Sequence, residues 1–308
     1  MNNNFQEVSK QDFLSLGEMS DFVKDKIELY NLQYRKPSQE ERDKILLKIH
    51  KYLSSNDVVV AGSHRKTQWE DGWGENLREF LANSDLKSLS PKYFGKHKVQ
   101  RINGELIIPK NDDFELKLVS LLQYAIFERF FKNSEDIYEF GAGTGHNLLR
   151  MREINTQARL HSMEWAKSGV KLLNLVAKAI KDNNLYGMVF DNFNPDHSIK
   201  LEPNSSVYTF AALEQLGEDT DKIINYWIEN KPSIIVNIEP MSEPLDDNEL
   251  LQHLSIQYFE KRGYLKGYIG KLRQLEKQRK IIIHEIIRTG VGSFFIEGYS
   301  VVAWSPIR

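Results

Sequence analysis

The sequence contains no cysteine. Disulfides, thiolate zinc sites, iron–sulfur clusters and a cysteine nucleophile are therefore excluded. The absence fits a reducing compartment. No run approaches the ~18 consecutive apolar residues needed to cross a bilayer, so no membrane span is expected. The amino terminus, MNNNFQEVSK, lacks the basic-then-apolar order of a signal peptide. A cytoplasmic location is the expectation. Neither sign of charge dominates: Lys plus Arg total 41 against 43 Asp plus Glu, a formal net charge of -2. Generic polyanion binders ordinarily carry a basic surplus, so nucleic acid is disfavoured as a partner. Proline and glycine are scarce, at nine and 18, yet Gly141, Gly143 and Gly145 fall within five residues.

What is present suffices for a core. Hydrophobic residues make up 41% of the 308 and aromatics 11%, which excludes wholesale disorder. The length admits about two domains at most. Residues 1–111 read as a mostly helical N-terminal cap. Ser38 and Glu41 form a capping box ahead of Ile45, Ile49, Tyr52 and Leu53 at helical spacing. Residues 62–80 mix Gly, Trp and charge without a clear period, and read as a loop leading into a helix. A hairpin near 99–108 is centred on Asn103-Gly104. Asp113 could cap an apolar helix over 113–132.

From 136 onward, strand-like runs alternate with helical ones. The strand candidates are 136–140, 159–164, 187–191, 205–210, 233–238, 280–288 and 294–304. Such alternation predicts an α/β fold with a mostly parallel sheet. The last two runs read as an antiparallel pair at one edge.

The glycine cluster sits at the first of these strands, in Asp136-Ile137-Tyr138-Glu139-Phe140-Gly141-Ala142-Gly143-Thr144-Gly145-His146-Asn147. Glycine lets a ligand lie against the backbone, and a following helix start offers unpaired N–H groups. The dinucleotide pattern G-x-G-x-x-G fails here by one position, because His146 stands where its third glycine belongs. The chain reads E-x-G-x-G-x-G instead. It resembles motif I of the class I S-adenosylmethionine-dependent methyltransferases. Two further strands support the resemblance by ending in acids, Glu164 followed by Trp165, and Asp191 followed by Asn192.

The resemblance covers residues ~112–308 and implies a Rossmann-like seven-stranded, mostly parallel sheet with an antiparallel last strand. Residues 112–308 would then form the S-adenosylmethionine-binding methyltransferase domain, with a basic helical insertion near 250–280. It implies that Glu139 and Asn147 lie near the cofactor's methionine part. Gly141, Gly143 and Gly145 would form the floor beneath it. Glu164 would take the ribose hydroxyls, Trp165 would pack on the adenine, and Asp191 with Asn192 would meet the adenine amino group.

Methyl transfer from a sulfonium is an in-line displacement, helped by a general base when the acceptor is a hydroxyl. Glu214, after the fourth strand, and Glu239, ending the fifth, are the catalytic candidates. Glu214 could equally be a helix-starting acid. The pair also offers the oxygen ligands a divalent cation prefers, but no metal-ligand spacing accompanies it and no metal is expected. His146 and His284 read as packing histidines. The Asp/Asn-Pro-Pro-aromatic motif of enzymes that methylate nucleobase amino groups is missing: Ala-Ala-Leu-Glu stands there. Residues 261–280 hold eight Lys/Arg and one Glu. They are either a solvated face or a surface for an anionic ligand. His64, Arg65, Trp69 and Trp73 either pack the cap onto the sheet or cover the substrate. The expected partner is a small polar or anionic acceptor methylated at oxygen, such as a sugar or saccharide precursor. An RNA or protein methyltransferase docking through 261–280, and a non-catalytic cofactor-binding protein, are the alternatives.

Overall fold

The structure, a computed structural model, describes residues 4–307. In chain order its amino-terminal part holds β1 (Gln6–Glu7), α1 (Asp21–Tyr30), β2 (Gln33–Arg35), α2 (Gln39–Ser54), α3 (Lys66–Asn83), β3 (Gln100–Ile102), β4 (Glu105–Pro109) and α4 (Phe114–Phe131). Then come β5 (Asp136–Phe140), α5 (His146–Ile154), β6 (Arg159–Glu164), α6 (Lys167–Ile180), β7 (Leu185–Val189), β8 (Ser206–Phe210) and α7 (Asp221–Asn230). The chain ends with β9 (Ile234–Glu239), α8 (Leu250–Arg262), α9 (Tyr268–Lys277), β10 (Ile281–Arg288), β11 (Gly292–Ser293) and β12 (Ser300–Pro306).

Seven strands form one Rossmann-like sheet in the order β10-β12-β9-β8-β5-β6-β7. Five of them, β7, β6, β5, β8 and β9, are parallel, while β12 is antiparallel to both β9 and β10. Successive side chains of a strand face opposite ways, and both faces of this sheet are covered. Ile137, Tyr208 and Val236 face a core with Phe127 of α4 and Leu148 of α5. Tyr138, Val207 and Ile235 face the other, with Trp227 of α7 and Leu272 of α9. From β5 the chain winds through β6 to β7, then returns to lay β8 on the other side of β5. That reversal opens a crevice at the carboxyl ends of the strands, where doubly wound folds place ligands.

Several expectations shift. The Asn103-Gly104 hairpin does not stand alone but becomes the middle of a second sheet, β1-β2-β4-β3-β11, beside the helices of the first 111 residues. Asn103 and Gly104 both take positive φ, 53° and 76°, as a two-residue turn between twisted strands requires. β11 comes from the far end of the chain and pairs with β3. Val8, Phe13 and Leu32 share one core with Phe127 and Val301. The segment 62–80 is helix from Lys66 onward. Trp73, Asn76 and Phe80 recur at 3.6-residue spacing and bury one face, which overrides Gly72 and Gly74. The third strand ends at Val189 and not at 191, because Phe190 leaves it for the crevice. The last strand starts at Ser300 and not at 294, because Phe294 packs with Ile45 and Ile49 of α2.

Candidate functional site

β5 delivers the chain into the glycine turn, where Gly141, Gly143 and Gly145 all have positive φ. Each is held glycine by a different neighbour. A Cβ on Gly141 would lie 2.5 Å from the Ala212 side chain, and one on Gly143 would lie 2.9 Å from Cζ2 of Trp73. One on Gly145 would enter the side chain of Leu173 in α6. Gly141 and Gly143 line the crevice. Gly145 stands behind it as the left-handed N-cap of α5, so the third glycine serves helix–helix packing and does not floor the pocket.

The crevice is a pocket of about 700 Å³, its open mouth included. Glu164 and Trp165 wall it after β6, Phe190, Asn192 and Phe193 after β7, and Phe210 to Ala212 after β8. Trp165 and Phe193 stack with centroids 5.5 Å apart. Trp69 and Trp73 of α3 and Tyr93 of the next loop close it from the amino-terminal side. Two polar atoms of the lining are buried without a partner, the acceptor Asn192 Oδ1 and the donor Trp69 Nε1.

The expected acids occupy distinct positions. Glu164 is buried and accepts from the Gly143 N–H at 2.7 Å and the Ala166 N–H at 2.9 Å. Burial pushes it up to about 7. Glu139 is fully buried and reaches the pocket only through Asn147, whose amide donates to it at 2.7 Å. Tyr208 donates to its other oxygen at 2.9 Å, and Gln123 donates to Asn147 at 2.6 Å. Burial pushes Glu139 up to about 8, against the pull of these donors. Asp191 turns away from the pocket. It accepts from the Phe193 N–H at 2.9 Å and meets Lys66 at 3.7 Å, and its neighbour Asn192 takes the wall.

Glu239 is a loop anchor. Its Oε1 accepts from the Ala212 and Leu213 N–H groups, both at 3.1 Å, and Oε2 from the Glu214 N–H at 3.3 Å. Burial raises it to about 7. Glu214 lies one side chain behind the wall, accepting from Nε2 of the wall residue Gln215 at 3.0 Å. Burial, then the charge of Glu239, pushes it up to about 8. Arg65 is buried and donates to Gln215 Oε1 at 2.9 Å, joining this group from the cap. His64 is exposed and does not line the pocket.

His146, expected only to pack, lines the pocket. Thr144 gives its single hydroxyl proton to the Leu89 carbonyl at 2.6 Å. Its 3.4 Å contact with His146 Nδ1 therefore has the imidazole as donor, which leaves Nε2 as an acceptor. Burial, then the Arg150 charge, holds this imidazole well below its ordinary range, so it is neutral. Tyr93, Phe190, Phe193 and Gln215 were also not anticipated. Three of them sit in irregular segments and Gln215 in a single 3-10 turn, Leu213–Leu216, too short for periodicity to mark a residue as facing a pocket.

No family model and no curated protein matches the chain. It is similar to the solved structure of geranyl diphosphate C-methyltransferase from Streptomyces coelicolor A3(2), at 12% identity over 76% of this chain and 98% of that one, TM-score 0.49. It is similar to mitomycin 7-O-methyltransferase MmcR at 10% identity over 78% and 68%, TM-score 0.46. For the phospholethanolamine N-methyltransferase 2 of Haemonchus contortus the figures are 11%, 76%, 74% and 0.45.

Proposed function

We propose that this chain binds S-adenosylmethionine and transfers its methyl group to a hydroxyl of a small molecule. The observation that carries the reading is the convergence of Gly141–Gly143, Glu164 and Asn192 on one pocket, from the ends of three consecutive parallel strands. The residues present suit the cofactor. An adenine ring can lie among Trp165, Phe190 and Phe193, and its edge carries the donor and acceptor that Asn192 Oδ1 and Trp69 Nε1 lack. Glu164 keeps free lone pairs for ribose hydroxyls, since a carboxylate has about four acceptor sites. Asn147, fixed by Glu139 and Gln123, offers a polar group at the start of α5. When bound, S-adenosylmethionine supplies an electrophilic methyl group.

Two groups are candidates to receive the acceptor's hydroxyl proton. His146 has the access and Glu214 the basicity, because an effective base titrates near the working pH. We assign orientation of the hydroxyl to His146, which lines the pocket, and proton acceptance to Glu214, which would reach the hydroxyl once the Gln215 side chain that covers it swings aside. Glu239 holds the loop that carries Glu214. The basic stretch gives less support to an anionic acceptor or to RNA, because Lys266 pairs with Glu218 at 3.1 Å and Lys271 with Asp221 at 2.9 Å. Calorimetric titration with S-adenosylhomocysteine tests the reading: saturable binding at one site is expected. No heat and no change in Tm at millimolar ligand would overturn it.

A further inference from the structure

The first half of helix α3 lies over the crevice, while Asn76 and Phe80 further on tie it to the Ser88–Ser90 loop and to α6. Trp73 sits against Gly143. Trp69 packs on Trp73 with centroids 5.3 Å apart, and its orphaned N–H lies in the same pocket as Asn192. Lys66 pairs with Asp191, and its ammonium stands 5.9 Å over the Trp165 ring. One turn further on, Glu70 accepts from the Lys167 N–H at 2.7 Å and the Ser168 N–H at 2.9 Å, while Ser168 Oγ donates to the Glu70 carbonyl at 2.8 Å.

These last bonds are unusual in their origin. The first N–H groups of a helix lack partners within it and are ordinarily satisfied by the residue just before. α6 begins after Ala166, which has no side-chain acceptor to offer. Glu70, some hundred residues earlier in the chain, supplies that acceptor, and its charge suits the positive end of the helix. α6 itself begins just after Glu164 and Trp165. The helix that covers the pocket is thus fastened to the helix that starts at the pocket's edge.

Resting on the cofactor reading above, we propose that α3 gates the cofactor site, with Trp69 donating to the bound adenosyl group and Glu70 latching the gate to α6. Trp69 and Trp73 then belong to the cofactor and not to the acceptor. Parting of the Glu70 bonds then widens the pocket's mouth for the cofactor to leave, so Glu70 sets the dissociation rate. Phe80, near the other end of α3, packs with Leu172 and Val176 of α6, so opening is a pivot about that contact that exposes two N–H groups of α6 to water.

The experiment follows dissociation of tritiated S-adenosylmethionine from the full chain after a chase with excess unlabelled cofactor. Glu70→Ala should raise the dissociation rate at least tenfold. Glu70→Gln, which keeps one acceptor oxygen, should fall between it and the wild type. Trp69→Phe, which keeps the ring and loses the N–H, should weaken equilibrium affinity about tenfold. Asn174→Ala, which loosens α6 on its far side by removing the bonds to Gly187, should leave the rate within twofold. A Glu70→Ala rate within twofold of wild type overturns the gate, as does an equal acceleration by Asn174→Ala. A wild-type chain that binds no cofactor overturns the functional reading itself, and the gate with it.

Discussion

Glu239 holds Glu214 by the backbone, accepting its N–H at 3.3 Å, and at the same time its charge helps to raise the Glu214 carboxyl. One buried acid therefore fixes the position of the other and adds to the rise in proton affinity that burial causes first. The roles separate on mutation. Glu239→Ala leaves three N–H groups in the loop without an acceptor and should cost roughly 2–4 kcal/mol of stability. Glu214→Gln keeps the volume and should cost under about 1 kcal/mol. Urea denaturation of both variants checks this, and equal losses would sink the distinction.

Stability should fall as pH rises from about 6.5 to 8.5. Glu139 and Glu214 are raised to about 8, and Glu164 and Glu239 to about 7, from an ordinary 4.5. The folded state therefore holds more protons than the unfolded chain in this window, and deprotonation favours unfolding. His146, held low, acts in the opposite sense, but only below its ordinary 6.5. Tm should decline across the window, and less steeply in Glu214→Gln. A flat or rising Tm in the wild type would show that burial does not raise these carboxyls.

The glycines should fail in different ways. Gly145→Ala forces a side chain into Leu173 at a φ of 79° and should cost ~1–3 kcal/mol in overpacking, read by urea denaturation. Gly143→Val projects toward Trp73 inside the pocket and should abolish S-adenosylhomocysteine binding. Calorimetry on Gly143→Val decides the second claim. Wild-type affinity there would contradict the pocket assignment.

Asn192 and Asp191 should also diverge. Asn192→Ala removes an unpartnered acceptor from the wall and should weaken S-adenosylhomocysteine binding about tenfold, ~1.4 kcal/mol. Asp191→Asn, facing Lys66 and the Phe193 N–H, should change it by less than threefold. The reverse order of effects would restore the acid to the wall.

Much of the sheet was legible because its signals are local. Ile137, Tyr138 and Phe140 lead into a glycine turn, and alternating strand and helix runs repeat that unit down the chain. Gly141 and Gly143 of that turn line the crevice, and Glu164, at the end of the next strand, lines it too. Small offsets came from apolar residues leaving their strands, as Phe190 does for the pocket and Phe294 for α2.

The sequence by itself determined the α/β alternation, the hairpin at Asn103-Gly104, the capping box at Ser38 and the position of the glycine turn, since each depends on residues a few positions apart. Tertiary structure alone decided which glycines face the pocket, because Leu173 and Trp73 lie far along the chain from them. It also chose Asn192 over Asp191, turned Glu239 into an anchor, and set Glu70 on α6. These outcomes depend on which distant donor or ring reaches a given atom first, and spacing along one chain carries no record of that contest.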